Sequence, residues 1–272
     1  MAGRIAGPLA ILANHAKAPE NARFMGLAVR PVYREVAMPP RDFEVISFDC
    51  YGTLIDWESG ILATMQGVIE HHELIVTSED VLMAFARAEA AVEASGFMSY
   101  REVLRRSFAA MAKDLGFAPR RDELELLEDT LPRWLPFPDT AASLRALQAA
   151  GHALAVISNV DDDLFALTAR RLGVDFELVV TAAQAKHYKP HPAMFELALA
   201  RRGVAASRFL HAAQSRYHDI GTAKRLGMQT VHVVRESGRK SGAVPDVDGA
   251  APQADWSVPD LAGLVALVGA RA

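Results

Sequence analysis

From residue 44 onward the chain alternates between two hydrophobic patterns. Short apolar runs of strand-forming residues occur at 44–50, 152–158, 177–181, 208–213 and 229–234. Between them, apolar positions recur at helical spacing over 141–150, 164–172, 193–202 and 220–226. Gly151, Gly173 and Gly227 follow three of those helices, where a left-handed terminal residue is often needed. Strands alternating with helices predict parallel βαβ units, so the fold class is α/β with a doubly wound parallel sheet.

About a hundred residues separate the first two strand patterns, and they contain no convincing strand. Thr77-Ser78-Glu79-Asp80 can cap a helix running to Ala94, with Val81, Leu82, Phe85 and Ala86 on its buried side. Stretches 100–115 and 121–131 read as further helices. The expected organisation is a core of residues 43–60 and 137–272 with a helical domain, 61–136, inserted after the first strand. Residues 1–42 are rich in Arg and Pro without periodicity. They read as a flexible extension or an early start with Met38 as the true one, in preference to a secretory leader. Residues 236–254, rich in Gly, Pro, Asp and Ser, read as a surface loop, and 259–268 as a closing helix.

Composition narrows the function classes. With 29 Lys and Arg against 33 Asp and Glu in 272 residues, the net charge is −4. That balance argues against a general partner of nucleic acid or anionic membrane. The single cysteine, Cys50, excludes an internal disulfide and a Cys-rich zinc site. No apolar run approaches the roughly 20 residues of a membrane span. The expectation is a soluble, cytoplasmic protein.

In an open parallel sheet, ligands bind beyond the carboxyl ends of the strands. That rule selects Asp49 after the first strand, Ser158 and Asn159 after the second, Lys189 after the third, and residues 214–219 after the fourth. Cys50 should point away from Asp49 into the core, because side chains alternate along a strand.

These residues carry a resemblance. Phe48-Asp49-Cys50-Tyr51-Gly52-Thr53-Leu54 is similar to the first motif of the haloacid dehalogenase superfamily, Ile157-Ser158-Asn159 to its second, Tyr188-Lys189-Pro190 to its third, and His218-Asp219 to its fourth. The four are in order, and the inserted helices resemble the cap of the type II 2-haloacid dehalogenase branch. The resemblance implies a Rossmann-like core with an inserted helical cap. It also implies a hydrolase with Asp49 as nucleophile, attacking the α-carbon of a small 2-haloalkanoic acid and forming an aspartyl ester that water hydrolyses.

The implied roles follow residue by residue. Thr53 fixes the rotamer of Asp49, Lys189 offsets oxyanion charge, and Asp219 orients or deprotonates the water. Ser158 and Asn159 bind the substrate carboxylate at a helix N-terminus. Tyr51 and Trp57 line the pocket, and Arg87 is the best match to the cap arginine of these dehalogenases. Position 51 distinguishes the branches: phosphatases resemble one another in a second Asp there that protonates the leaving alkoxide, and a halide needs no proton. With few oxygen ligands in view, neither a metal nor a cofactor is expected. Dehalogenases of this type imply a homodimer.

Two positions depart from the family. Gln214 and Arg216 stand where characterised 2-haloacid dehalogenases resemble one another in Ser and Asn; Gln214 can substitute, while Arg216 adds charge or turns outward. They leave open a phosphate ester, a strained C–N bond, or a binding protein on the same fold. Asp161, Asp162 and Asp163 read as a helix-capping cluster. His71, His72, His187, His191 and His211 show no metal-ligand spacing.

Overall fold

The computed structural model describes residues 43–235 and 252–269. The segment 1–42 and nearly all of the 236–254 loop fall outside the described residues.

Among the described residues, six strands form one sheet: β1 (Val45–Phe48), β2 (Ala153–Ser158), β3 (Leu178–Thr181), β4 (Phe209–Ala213), β5 (Gln229–Val233) and β6 (Trp256–Val258). Their order is β3-β2-β1-β4-β5-β6, and every neighbouring pair is parallel. All four residues of β1 and all six of β2 are buried. Continuous rather than alternating apolar character is what a sheet covered on both faces requires. Phe48 stands opposite both Val156 and Ala212, so the carboxyl ends of β2, β1 and β4 are level. The order reverses at β1, and the crevice at such a reversal is where α/β sheets hold ligands.

Four helices lie between β1 and β2 ahead of the core: α1 (Trp57–His71), α2 (Ser78–Ala94), α3 (Tyr100–Asp114) and α4 (Leu126–Thr130). Core helices follow as α5 (Thr140–Ala149), α6 (Asp162–Leu172), α7 (Ala182–Ala185), α8 (Ala193–Arg202), α9 (Gly221–Arg225) and α10 (Leu261–Leu267). α2 starts at the capping box read from the sequence: the Thr77 hydroxyl accepts from the Asp80 amide, and the Asp80 carboxylate accepts from the Thr77 amide. Val81, Leu82, Ala84, Phe85 and Ala88 form its buried side. They pack in one hydrophobic cluster with Val103, Leu104, Phe108 and Met111 of α3. No helix among the described residues is long and apolar enough to cross a membrane.

Three expectations differ from the structure. The helix expected over 121–131 is broken into a 3-10 turn at Glu123–Glu125, the short α4, and a second 3-10 turn at Leu131–Arg133 that contains Pro132. Proline lacks the N–H that would continue an α-helix. The helix expected over 220–226 is preceded by a π-helical turn, Arg216–Ile220. β6 is too short to leave a period-two signal and ends one residue before Pro259.

The aspartate run at 161–163 also works differently from a local cap. Asp161 occupies the N-cap position of α6 but makes no side-chain cap bond there. Instead its two oxygens accept from the backbone amides of Tyr100 at 3.0 Å and Arg101 at 3.1 Å, the first residues of α3. Two orphan donors of one helix are thus satisfied by a core residue some sixty positions away. Asp163 pairs with Arg101 at 2.6 Å, while Asp162 accepts from Thr181 and Gln184. Replacing Asp161 by Ala removes both acceptors and leaves the Ser99 cap of α3 intact. It is expected to lower stability by about 1–3 kcal/mol, read as a lower urea midpoint; an unchanged midpoint would mean that α3 docks without it.

Candidate active site

The first strand ends in a tight turn. The Cys50 carbonyl accepts from the amides of Thr53, Leu54 and Ile55, which folds the chain back within five residues of Asp49. Gly52 takes φ +95, and a Cβ there would sit 3.2 Å from the Trp57 ring. Backbone sign and ring contact together favour glycine. The turn returns Thr53 beneath Asp49, where its hydroxyl donates to Asp49 Oδ2 at 2.8 Å. Thr53 Oγ1 in turn accepts from the Gln214 amide at 2.9 Å, tying the end of β4 to the turn. Cys50 is fully buried, as alternation predicts. Burial first, and the Asp49 charge second, push its thiol pKa up, so it is a core residue rather than a nucleophile.

Lys189, 3% exposed, sits at the centre. Its Nζ donates to Asp49 Oδ1 at 2.8 Å, to Asp219 Oδ1 at 2.7 Å and to the Ile157 carbonyl at 2.9 Å. An ammonium has three N–H donors, and all three are engaged. Burial pulls the Lys189 pKa down, but the charges of Asp219 and Asp49 more than offset it, and the net shift is upward. Burial alone would raise the Asp219 pKa; Lys189 and a bond from His211 Nε2 at 3.0 Å reverse that and hold it below the usual carboxylate range. Ser47 Oγ lies 2.9 Å from His211 Nδ1. The chain Ser47–His211–Asp219–Lys189–Asp49–Thr53 therefore links β1, β4, the loop after β3 and the π turn in one buried polar network.

Lys189 is itself aimed by its neighbours. Asn159 Oδ1 accepts from the Lys189 amide at 2.8 Å, and Asn159 Nδ2 donates to both oxygens of Glu93 at 3.3 Å. The preceding Tyr188 donates its hydroxyl to the Met98 carbonyl at 2.9 Å, just before α3.

A cleft of about 700 Å³, open to solvent, lies between the inserted helices and the carboxyl ends of the strands. Aromatic rings of Tyr51, Trp57, Phe85, Tyr100 and Trp134 line it, with Glu89, Glu93, Gln214, Ser215 and His218. Tyr51 bonds Thr168 across the core at 2.9 Å, and its pKa is raised, chiefly by burial. The Tyr100 hydroxyl donates to Glu89 at 2.5 Å. Burial, with the Asp49 charge added, pushes Glu89 up to about 7 despite that bond. Burial and the neighbouring Glu89 raise Glu93 well above the carboxylate range. Burial lowers the His218 pKa, so this imidazole is neutral at pH 7; its Nδ1 lies 3.1 Å from Ser215 Oγ.

The structure brings together Asp49, Thr53, Lys189 and Asp219, and places Tyr51, Trp57 and Gln214 on the cleft. It does not bring in Arg87, whose guanidinium is 59% exposed and pairs with Asp114 at 3.3 Å. The reason is helical phase: the face of α2 towards the cleft carries Phe85, Ala86, Glu89, Ala90 and Glu93, and Arg87 lies about 200° round from Glu89. Ser158 and Asn159 do not line the cleft either. The Ser158 hydroxyl is buried without a partner, and Asn159 is committed to Lys189 and Glu93. Arg216 turns towards His232, 3.4 Å away. Glu89, Glu93, Tyr100 and His218 are the residues that sequence reasoning missed. The spacing 85-86-89-90-93 on α2 is the available signal for Glu89 and Glu93, and the place of His218 beside Asp219 in the fourth motif is the signal for His218.

Two places bear on metal binding. A divalent cation here would have to use Asp49, Asp219 and the Tyr51 carbonyl. Lys189 Nζ already spans the two carboxylates, and position 51 adds no third one. Asp219 Oδ2 is buried without a partner, while its Oδ1 is taken by Lys189 and His211. Elsewhere, His71, His72 and Glu123 place ligand atoms within 4.8 Å of one another, a grouping the histidine spacing did not reveal. The Arg120 guanidinium contacts His71 at 3.2 Å and Glu123 at 3.3 Å and supplies the positive charge there.

Comparison with known proteins agrees with this geometry. The family model described as haloacid dehalogenase-like hydrolase matches residues 43–227. Haloacetate dehalogenase H-2 of Moraxella sp. (strain B) is 25% identical over 231 residues, covering 84% of this chain and 99% of that protein. Phosphoglycolate phosphatase of Shigella boydii is 29% identical over 212 residues, covering 70% of this chain and 81% of that protein. The structure of L-2-haloacid dehalogenase from Xanthobacter autotrophicus with chloropropionic acid covalently bound superposes with TM-score 0.69 at 23% identity, covering 85% of this chain and all of that one. A match over more than half the chain, on a sheet of the order described, makes this protein a member of the haloacid dehalogenase-like hydrolase family.

Proposed function

We propose that the protein is a metal-independent hydrolase that cleaves a carbon–halogen bond through an aspartyl ester on Asp49. The observation that carries this reading is the residue two positions after Asp49. Tyr51 offers a phenol that is bonded to Thr168 and has a raised pKa, so position 51 supplies no carboxylic acid to protonate an alkoxide leaving group. A halide departs without a proton, so this site suits it better than a phosphate monoester. Likeness to both dehalogenases and a phosphatase makes the leaving group the point to test.

In the first step a lone pair of Asp49 forms a C–O bond to saturated carbon, and halide leaves with the electrons of the broken C–X bond. Thr53 and Lys189 each hold one Asp49 oxygen, which restricts the carboxylate to one orientation. In the second step water attacks the Asp49 carboxyl carbon, and Lys189 stabilises the resulting oxyanion. Asp219 is a poor base for that water, being fully buried, lowered in pKa and bonded to Lys189 and His211. It positions Lys189. His218 fits the base better: it is neutral, it lines the cleft, and Ser215 fixes its ring. It takes the proton from water and returns it to the departing alcohol oxygen.

Asp49→Asn is expected to abolish halide release, by about 10⁴-fold or more, in an assay of small chlorinated substrates run with and without EDTA. Single turnover in H₂¹⁸O should place the label on Asp49. Magnesium-dependent release of phosphate from phosphate esters, with no halide release from any chlorinated compound, would overturn the reading. His218→Gln is expected to give one equivalent of halide per site in a rapid burst, followed by turnover slowed by about 10²-fold; equal slowing of burst and steady state would remove His218 from the ester hydrolysis.

A further inference from the structure

We infer that the cleft above Asp49 recognises a substrate bearing an ammonium group, with Glu89 and Glu93 as its specificity-determining residues. The two carboxylates stand one helical turn apart on the face of α2 turned towards the cleft. Among the described residues, no arginine or lysine lines the cleft with them. Arg87 is paired with Asp114 on the outside, and Lys189 is saturated by Asp49, Asp219 and Ile157. The partners present are neutral: Tyr100 for Glu89 and Asn159 for Glu93. A carboxylate substrate placed here would meet two acidic side chains and, among the described residues, no lysine or arginine with a free donor.

The walls point the same way. Trp57 and Phe85 lie 5.9 Å apart between ring centroids, and Tyr51 meets Trp134 edge-on at 6.0 Å. Aromatic faces beside carboxylates are a favourable setting for an alkylammonium ion. The charged and titratable groups interacting with Glu89 and Glu93 are Asp49 just after β1, Tyr100 from α3, and Tyr188 and Lys189 from the loop after β3. His218, from the π turn, also lines the cleft. In the empty cleft burial favours the protonated forms of both glutamates. An entering ammonium therefore displaces protons, and its affinity rises with pH.

The inference rests on Asp49 being the reactive group, but its test breaks no bond, so failure of halide release and failure of cation recognition are read separately. Propylammonium, propionate and 1-propanol, which share a chain length, are titrated calorimetrically into the full-length protein at pH 6 and pH 8 in buffers of different ionisation enthalpy. Propylammonium is expected to bind about tenfold or more tighter than propionate, with proton release, and more tightly at pH 8. Glu89→Gln and Glu93→Gln each keep the side-chain shape, and the double variant, checked for an unchanged fold by circular dichroism, is expected to lose the preference. Propionate binding as well as propylammonium, above all with proton uptake, would overturn the inference. So would no saturable binding of propylammonium, or a preference that survives in the double variant.

Discussion

One buried ammonium holds the reaction centre together. Lys189 Nζ touches a carboxylate from the end of β1, a carboxylate from the turn after β4 and a carbonyl from β2. The Lys189 charge is what holds the buried Asp219 below the usual carboxylate range against the pull of burial. Removing either partner would strand charge in the interior, the costly way to break such a pair. The network therefore serves orientation more than stability, since a buried ion pair by itself adds little to folding. Three separate loops are brought to one point, and the Asp49 carboxylate is fixed by what surrounds it.

The inserted helices complete the other half of the site and give it a different character. Their contribution is acidic and aromatic, through Glu89, Glu93, Phe85 and Tyr100, above a core that supplies Asp49 and Lys189. Chemistry and recognition thus come from different segments of the chain.

The core was legible because its signals are local. β1, β2 and β4 are runs of wholly buried residues, β3 and β5 runs of buried and partly buried ones, and the candidate site residues stand just beyond strand ends, where a parallel sheet must present them. The acid-free position 51 was equally readable. Failures came where the answer depended on direction or distance. Arg87 was chosen by residue type, but two positions along a helix is more than half a turn, and only the packing of α2 reveals which side faces inwards. Asp161 looked like a cap for the helix beside it, whereas its amide partners lie in another part of the chain. A three-residue strand such as β6 has no period to detect. Glu89 and Glu93 were spaced for one face, yet acidic residues on a helix are usually solvated, and nothing local marked these as half-buried.

Tyr188 has a mechanical meaning. Its hydroxyl holds the Met98 carbonyl in the inserted region, and its backbone runs directly into Lys189. Any hinge motion that lifts α3 off the sheet must either break that bond or tug on the peptide carrying the lysine. One hydrogen bond, between two residues that the sequence places 90 positions apart, thus joins the inserted region to the peptide whose side chain grips Asp49.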